Sequence, residues 1–209
     1  GRSSSRLKAP ARALRANVSA TATQETTQLL PLMLERLDVE QRLSVFDAGP
    51  ATAQTVEFFS QFKCRLHFAD LYDETVVAAQ TELSAEELTT QFTELLSFAA
   101  EPFDLCLLWD VPNYLNPTAL KAFGDALRPF IHRQTVAHGF CAFKETQPFT
   151  PQRYSIRAMD SLGVEPRPHA DAPKHPVRQN ALVAALQFLT VVRGTLLTDG
   201  RVELFMEVI

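Results

Sequence analysis

Two carboxylates, Asp47 and Asp70, stand 23 residues apart, each closing a short apolar run, and a turn of small residues follows the first. Leu43, Val45 and Phe46 lead into Asp47. Ala48, Gly49, Pro50, Ala51, Thr52 and Ala53 form the turn, and Val56, Phe59 and Phe62 follow at helical spacing. The pattern predicts strand, tight turn, helix and second strand from Leu43 to Asp70, a single βαβ unit. Such a turn lets a cofactor approach the backbone at the carboxyl end of a parallel sheet. A carboxylate ending the second strand can then accept hydrogen bonds from ribose hydroxyls. A third carboxylate, Asp110, closes the strongest apolar run, Phe103 to Trp109, and precedes Val111, Pro112, Asn113 and Tyr114.

Asp47-Ala48-Gly49-Pro50-Ala51-Thr52-Ala53 resembles the D-x-G-x-G-x-G turn of class I S-adenosylmethionine-dependent methyltransferases, with Ala51 and Ala53 where that family usually has glycines. Asp70 falls where the family places its ribose-binding acid, and FDLCLLWDVPNY, Phe103 to Tyr114, resembles its fourth strand and following loop. The resemblance covers roughly residues 40 to 209 and says more about fold than about activity. It implies S-adenosylmethionine as cofactor, with contacts from Asp47, Ala48, Gly49, Ala51, Ala53, Asp70, Leu71 and Asp110. Asp110 to Tyr114 is similar to the [D/N/S]-P-P-[Y/F] loop of amino-directed methyltransferases, departing from it at Val111 and Asn113. The resemblance thus implies a substrate site at Pro112, Asn113 and Tyr114, against the alternative of a plain strand-to-helix turn. Methyl transfer from a sulfonium requires positioning rather than a catalytic acid or base, so no catalytic residue is assigned.

These residues need a scaffold, and the rest of the chain spells one out. Leu29, Leu30, Met33, Leu34 and Leu37 have helical spacing within Glu25 to Leu37, with Pro31 in the first turn or at a kink. This helix either covers the cofactor crevice or simply packs in the core. Ser84 with Glu87 forms a capping box for a helix carrying Leu88, Phe92, Leu95 and Leu96. Only 32 residues separate Asp70 from Phe103, so a third parallel strand at the edge is expected to be short or absent. Asn116 and Pro117 open a helix bearing Leu120, Phe123, Leu127 and Phe130. Thr135 to Phe143 reads as a strand, in which His138 is a packing residue rather than a base. Lys144 to Arg178 holds six of the 13 prolines and reads as the longest irregular region, broken by short pieces such as Arg153 to Arg157. Substrate or partner contacts are placed there. His169 and His175 are too sparse for a metal site.

A helix from Gln179 to Leu186 is followed by two strands, Phe188 to Leu197 and Arg201 to Val208, joined at Asp199-Gly200. The antiparallel ending fits the methyltransferase fold. A nicotinamide-binding domain would end in a parallel strand and would need G-x-G-x-x-G, whose second and third glycines are missing from Gly49 to Gln54. The expected fold is therefore a Rossmann-like doubly wound α/β sheet, mainly parallel, with a C-terminal antiparallel hairpin and helices on both faces.

At 209 residues, with 46% hydrophobic and 21% charged residues, the chain suits one globular domain. No apolar run is long enough to span a bilayer. Cys64, Cys106 and Cys141 lie in apolar strands without metal-ligand spacing and read as reduced core residues. Arg2, Arg6, Lys8, Arg12 and Arg15 give residues 1–24 a charge of +5, leaving −9 on the domain over residues 25–209. The basic segment reads as a solvated extension, an organellar transit sequence or an arm for an anionic partner. A cytoplasmic location is expected, with organellar targeting left open. The acidic domain favours a small-molecule or protein acceptor over nucleic acid. The arm and the 144–178 region are candidate contacts for a protein partner. Two functions from different classes follow: an S-adenosylmethionine-dependent methyltransferase, or a non-catalytic protein of that fold serving as a binding or scaffold module. For the second, Ala51 and Ala53 add methyl groups, and Pro50 removes an amide donor, where backbone should meet cofactor.

Overall fold

A computed structural model describes residues 22–146, 148–167 and 173–209. The expectations for residues 1–21 and for His169 fall outside these. In chain order the elements are β1 (Thr23–Thr26), α1 (Leu29–Leu34), β2 (Leu43–Asp47), α2 (Ala53–Phe59), β3 (Cys64–Phe68), α3 (Thr75–Ala78) and α4 (Ala85–Leu96). Then come β4 (Phe103–Trp109), α5 (Pro117–Leu127), β5 (Ile131–Ala142), β6 (Gln152–Ala158), β7 (Ser161–Pro166), α6 (Gln179–Ala185), β8 (Leu189–Leu196) and β9 (Arg201–Val208).

Six strands form the main sheet in the order β3-β2-β4-β5-β9-β8. The first four are parallel, and β9 inserts antiparallel between β5 and β8. The doubly wound sheet and its closing hairpin are as the sequence predicts, and among the described residues no further strand lies beyond β3. Alternation along the strands sends successive side chains to two different cores. Phe46, Cys106, Leu108, Ala137, Cys141, Leu204 and Met206 face one core, shared with α4, α5 and α6. Val45, Leu105, Leu107, Trp109, Val136, Phe140 and Phe205 face the other, shared with α1 and α2. Near-continuous apolar runs such as Phe103 to Trp109 are what a strand buried on both faces requires.

Local chemistry places the helix starts. Ser84 and Glu87 make the reciprocal capping box of α4, and Asn116 accepts from the Ala119 amide at the start of α5. Pro31 sits in the first turn of α1, where its missing N–H costs no helical bond. The buried side chains of α1, Leu29, Leu30, Met33 and Leu34, join the second core, so this helix packs rather than covers a crevice. The three cysteines are free, with Cys106 and Cys141 buried. No helix among the described residues is long and apolar enough to cross a membrane.

The 144–178 region departs from expectation. Its prolines cluster at both ends, and the centre, with Pro166 only at its last paired position, forms an antiparallel hairpin, β6–β7, to which β1 adds a third strand. Tyr154, Ile156, Leu162 and Val164 alternate inward and complete the second core. The chain from Thr23 to Thr26 is thus a strand, and the helix predicted from Glu25 begins at Leu29. β9 ties this small sheet down. Arg201 donates to Glu25 at 2.8 and 2.9 Å and to the Tyr154 hydroxyl at 3.1 Å, with its guanidinium over the Phe140 ring. Glu203, also on β9, accepts from Thr27, whose hydroxyl in turn accepts from the Leu29 and Leu30 amides.

Gly124 in α5 shows how closely the layers approach: a β-carbon there would lie 2.9 Å from the Ala185 carbonyl oxygen and 2.9 Å from Leu186 Cδ2. Glycine to alanine in a helix interior ordinarily stabilises by up to about 1 kcal/mol. Here Gly124→Ala is expected to destabilise by about 1–3 kcal/mol, because α6 must shift. Urea denaturation of the two proteins reads the sign directly.

Candidate functional site

The three motif carboxylates lie at the carboxyl ends of adjacent parallel strands: Asp70 after β3, Asp47 at the end of β2, and Asp110 after β4. This is the crevice edge of a doubly wound sheet. The turn after β2 is bound to the end of β3: the Asp70 amide donates to the Gly49 carbonyl at 3.1 Å, and the Leu71 amide to that of Ala48 at 2.9 Å.

Asp47 is buried, and its Oδ1 accepts from the Gly49 amide at 2.8 Å and from the Trp109 indole N–H at 2.6 Å. Burial pushes its carboxyl up to about 7, against those two hydrogen bonds. Trp109 takes a left-handed backbone, φ 51°, which a bulky residue adopts only when its surroundings hold it there. Its indole stacks on Tyr154 with ring centroids 5.3 Å apart, and it would lie 3.3 Å from a β-carbon at Gly49. A side chain at this position would therefore press on the indole and on the Asp47 carboxylate, 3.2 Å away. Ala51 and Ala53 are exposed and, with Thr52, Gln54 and Arg153, line a hollow of about 190 Å³. Their methyl groups therefore face open space. Arg153 pairs there with Glu165.

Asp70 also has a left-handed backbone, φ 37°. Its Oδ1 is buried without a hydrogen-bond partner, 3.6 Å from Arg167 Nη1, which is likewise unsatisfied. Arg167, just past β7, donates to Asp73 at 2.8 Å and lies 4.2 Å above the Tyr72 ring. Burial raises the Asp70 carboxyl, with Arg167 opposing the shift. An unsatisfied acceptor at this strand end suits the donor that a ribose hydroxyl offers.

On the β4 side, Asp110 is fully buried and accepts from the Tyr72 hydroxyl. Its other oxygen lies 3.4 Å from the Tyr154 hydroxyl. Burial raises its carboxyl to about 6, and burial likewise pushes the Tyr72 and Tyr154 phenols well above their usual range. Pro112, Asn113 and Tyr114 follow in a short 3-10 turn and are buried. The Asn113 amide group donates to Phe140 O at 2.8 Å, and its Oδ1 accepts from the Val177 amide at 3.0 Å. The Tyr114 hydroxyl is buried with no partner. Asn113 thus holds the loop to β5 and to the segment before α6.

The structure brings Asp47, Gly49, Asp70, Leu71 and Asp110 together at the crevice edge. It adds Tyr72, Trp109, Tyr154 and Arg167, which sequence reasoning did not single out. Trp109 adjoins Asp110 and Tyr72 lies two residues after Asp70, a signal that was readable. Tyr154 and Arg167 arrive through a hairpin hidden by flanking prolines. His138 is buried, as expected of a packing residue, and lies 2.9 Å from Glu203. Burial pushes the Glu203 carboxyl up, but hydrogen bonds from His138 and Thr27 outweigh this and hold it below the usual range.

No protein-family profile matches the chain, and no curated protein matches it. Among solved structures, it is similar to an S-adenosylmethionine-dependent methyltransferase from Clostridium acetobutylicum ATCC 824, with TM-score 0.50 and 13% identity over 85% of this chain and 87% of that one. A methyltransferase from Anabaena variabilis ATCC 29413 gives TM-score 0.49 and 12% identity over 86% and 82%. The N-methyltransferase NodS from Bradyrhizobium japonicum WM9 gives 0.48 and 16% over 86% and 93%. The first of these, with the strand order and the closing hairpin, defines the fold as class I methyltransferase-like.

The raised carboxyl of Asp47 has a signed consequence. A folded-state value of about 7 against 3.8 means that the folded chain holds this proton more tightly. The stability it contributes is present at low pH and lost as pH rises through about 7. Asp47→Asn keeps an acceptor for Gly49 and Trp109 but cannot ionise. Its melting temperature relative to the unsubstituted chain should therefore rise from about pH 5 to about pH 8. A difference that stays constant across that range would show Asp47 ionised throughout.

Proposed function

We propose that this protein is an S-adenosylmethionine-dependent methyltransferase that binds its cofactor across the carboxyl ends of β2, β3 and β4. The observation that carries this reading is Asp70. Its buried oxygen, which has no hydrogen bond and only a 3.6 Å ion pair to Arg167, stands at the strand end where the resembled family holds ribose, beside a small-residue turn that leaves open space at Ala51 and Ala53. The cofactor supplies a methyl group already activated on a sulfonium, so the chain's share is binding and orientation. Asp70 would hold the ribose, and Leu71, Ala48 and Gly49 would form the adjoining wall. Asp47 keeps the turn in shape through Gly49 and Trp109. Asp110, Pro112, Asn113 and Tyr114, following β4, form the acceptor side. The acceptor is a small molecule or a protein side chain, in keeping with an acidic domain.

A second reading, a non-catalytic binding module of the same fold, is favoured by the packing on the β4 side. There Trp109, Tyr154 and Tyr72 enclose Asp110 completely. Calorimetric titration with S-adenosylmethionine and S-adenosylhomocysteine separates the readings. The enzyme reading expects saturable binding of both, weakened about tenfold or more by Asp70→Ala, which removes a charge-assisted hydrogen bond. No heat at millimolar ligand would leave the binding module. Unchanged affinity in Asp70→Ala would remove Asp70 from the site.

A further inference from the structure

A second concavity lies on the far side of the loop that follows β4, lined from Leu115 onward. A cavity of about 410 Å³ opens between α5, α6 and the 174–178 segment, within the usual size range of small-molecule sites. Its walls are apolar, with Leu115 and Leu120 on the α5 side and Val177, Ala181 and Ala185 opposite. None of the residues named for the cofactor or for the acceptor loop after β4 lines it, whereas Glu145 and residues 174–178 belong to the 144–178 region expected to carry substrate or partner contacts.

Its polar groups are few and mostly of one kind. Lys174 and Arg178 are exposed at the rim, and neither side chain has a hydrogen bond or ion pair with a described residue. Glu145 is the single carboxylate there. His175 also lines the cavity, and its Nε2 is buried with no hydrogen-bond partner. The wall is rigidly placed, since the His175 amide donates to the Asn113 carbonyl at 2.7 Å and the Val177 amide to the Asn113 side chain at 3.0 Å. A neutral apolar guest would leave the buried imidazole nitrogen unmatched and gain nothing from the two solvated cations, and a cationic guest would be repelled. An apolar acid meets all three: its body is buried against aliphatic walls, and its carboxylate accepts charge-assisted hydrogen bonds.

We propose that this cavity binds a small amphiphilic carboxylate, its apolar body against Leu115, Leu120 and Val177 and its carboxylate between Lys174, Arg178 and His175. The site is independent of the cofactor reading. Calorimetric titration of the chain with decanoate, decanol and decyltrimethylammonium tests it, because the three share an apolar tail and differ in charge. Decanoate should bind saturably to one site, with the other two at least about tenfold weaker. Lys174→Ala with Arg178→Ala should weaken decanoate about tenfold or more. Ala181→Trp, which fills the cavity and leaves the charges in place, should abolish binding. The proposal is overturned if the unsubstituted chain does not bind decanoate, if the three probes bind alike, or if the rim variant binds as before. Near-ultraviolet circular dichroism verifies that each variant is folded. Should Ala181→Trp fail to fold, the rim variant decides alone, because both of its substitutions are at exposed side chains.

Discussion

The hydrogen bond from the Trp109 indole to Asp47 joins three parts of the molecule that share no stretch of sequence. It ties the end of β4 to the turn after β2. Through the stack of Trp109 on Tyr154, and of Tyr154 on Phe140, it also brings the small antiparallel sheet onto the main one. The left-handed backbone at Trp109 is the cost, of order 1–3 kcal/mol for such a conformation. It is offset by burial of the largest side chain in the chain and by satisfaction of a carboxylate that would otherwise be buried alone. With Trp109 so placed, a β-carbon at Gly49 would meet Asp47 and the indole at 3.2 and 3.3 Å, and packing favours the first glycine of the motif alongside any ligand.

Around this contact the crevice edge collects charge that the protein keeps dry. Asp47 and Asp110 are both buried, and both are raised toward neutrality by it. Tyr72, Tyr154 and the Trp109 indole surround them as neutral donors, with Arg201 beyond Tyr154. Groups with shifted protonation cluster where function sits more often than elsewhere. Arg201 and Glu203 do the opposite work on β9: each is hydrogen-bonded to the neighbouring elements, and together they clamp β1, α1 and β6 onto the sheet. One end of the small sheet is thus held by full charges and the other by aromatic stacking.

The main sheet was legible because its signals are local. Phe103 to Trp109, the Ser84–Glu87 box, Asn116-Pro117 and Asp199-Gly200 each specify their element without help from the rest of the chain. The crevice was legible in part, through Asp47, Gly49, Asp70 and Asp110. What could not be read was set by distant partners. The small sheet depends on β1 meeting β7, and the four residues of β1, Thr-Gln-Glu-Thr, carry no apolar alternation of their own. Between the prolines, Tyr154, Ile156, Leu162 and Val164 did alternate. The proline count of the whole region outweighed that shorter pattern. Arg167 is an ordinary surface arginine in sequence, and only the hairpin geometry delivers it to Tyr72 and Asp70.

The placement of β1 also governs the order in which the molecule can be built. Thr23 bonds to Val164 across 141 residues, and Glu25 and Thr27 reach Arg201 and Glu203 across 176 each. β1 therefore waits until β7 and β9 have been made before it has these partners. The βαβ unit from Leu43 to Phe68 closes over a much shorter loop and can form while synthesis continues. Docking of Thr23–Thr26 becomes the closing step of folding, and the two ends of the described chain are joined only when the last strand arrives.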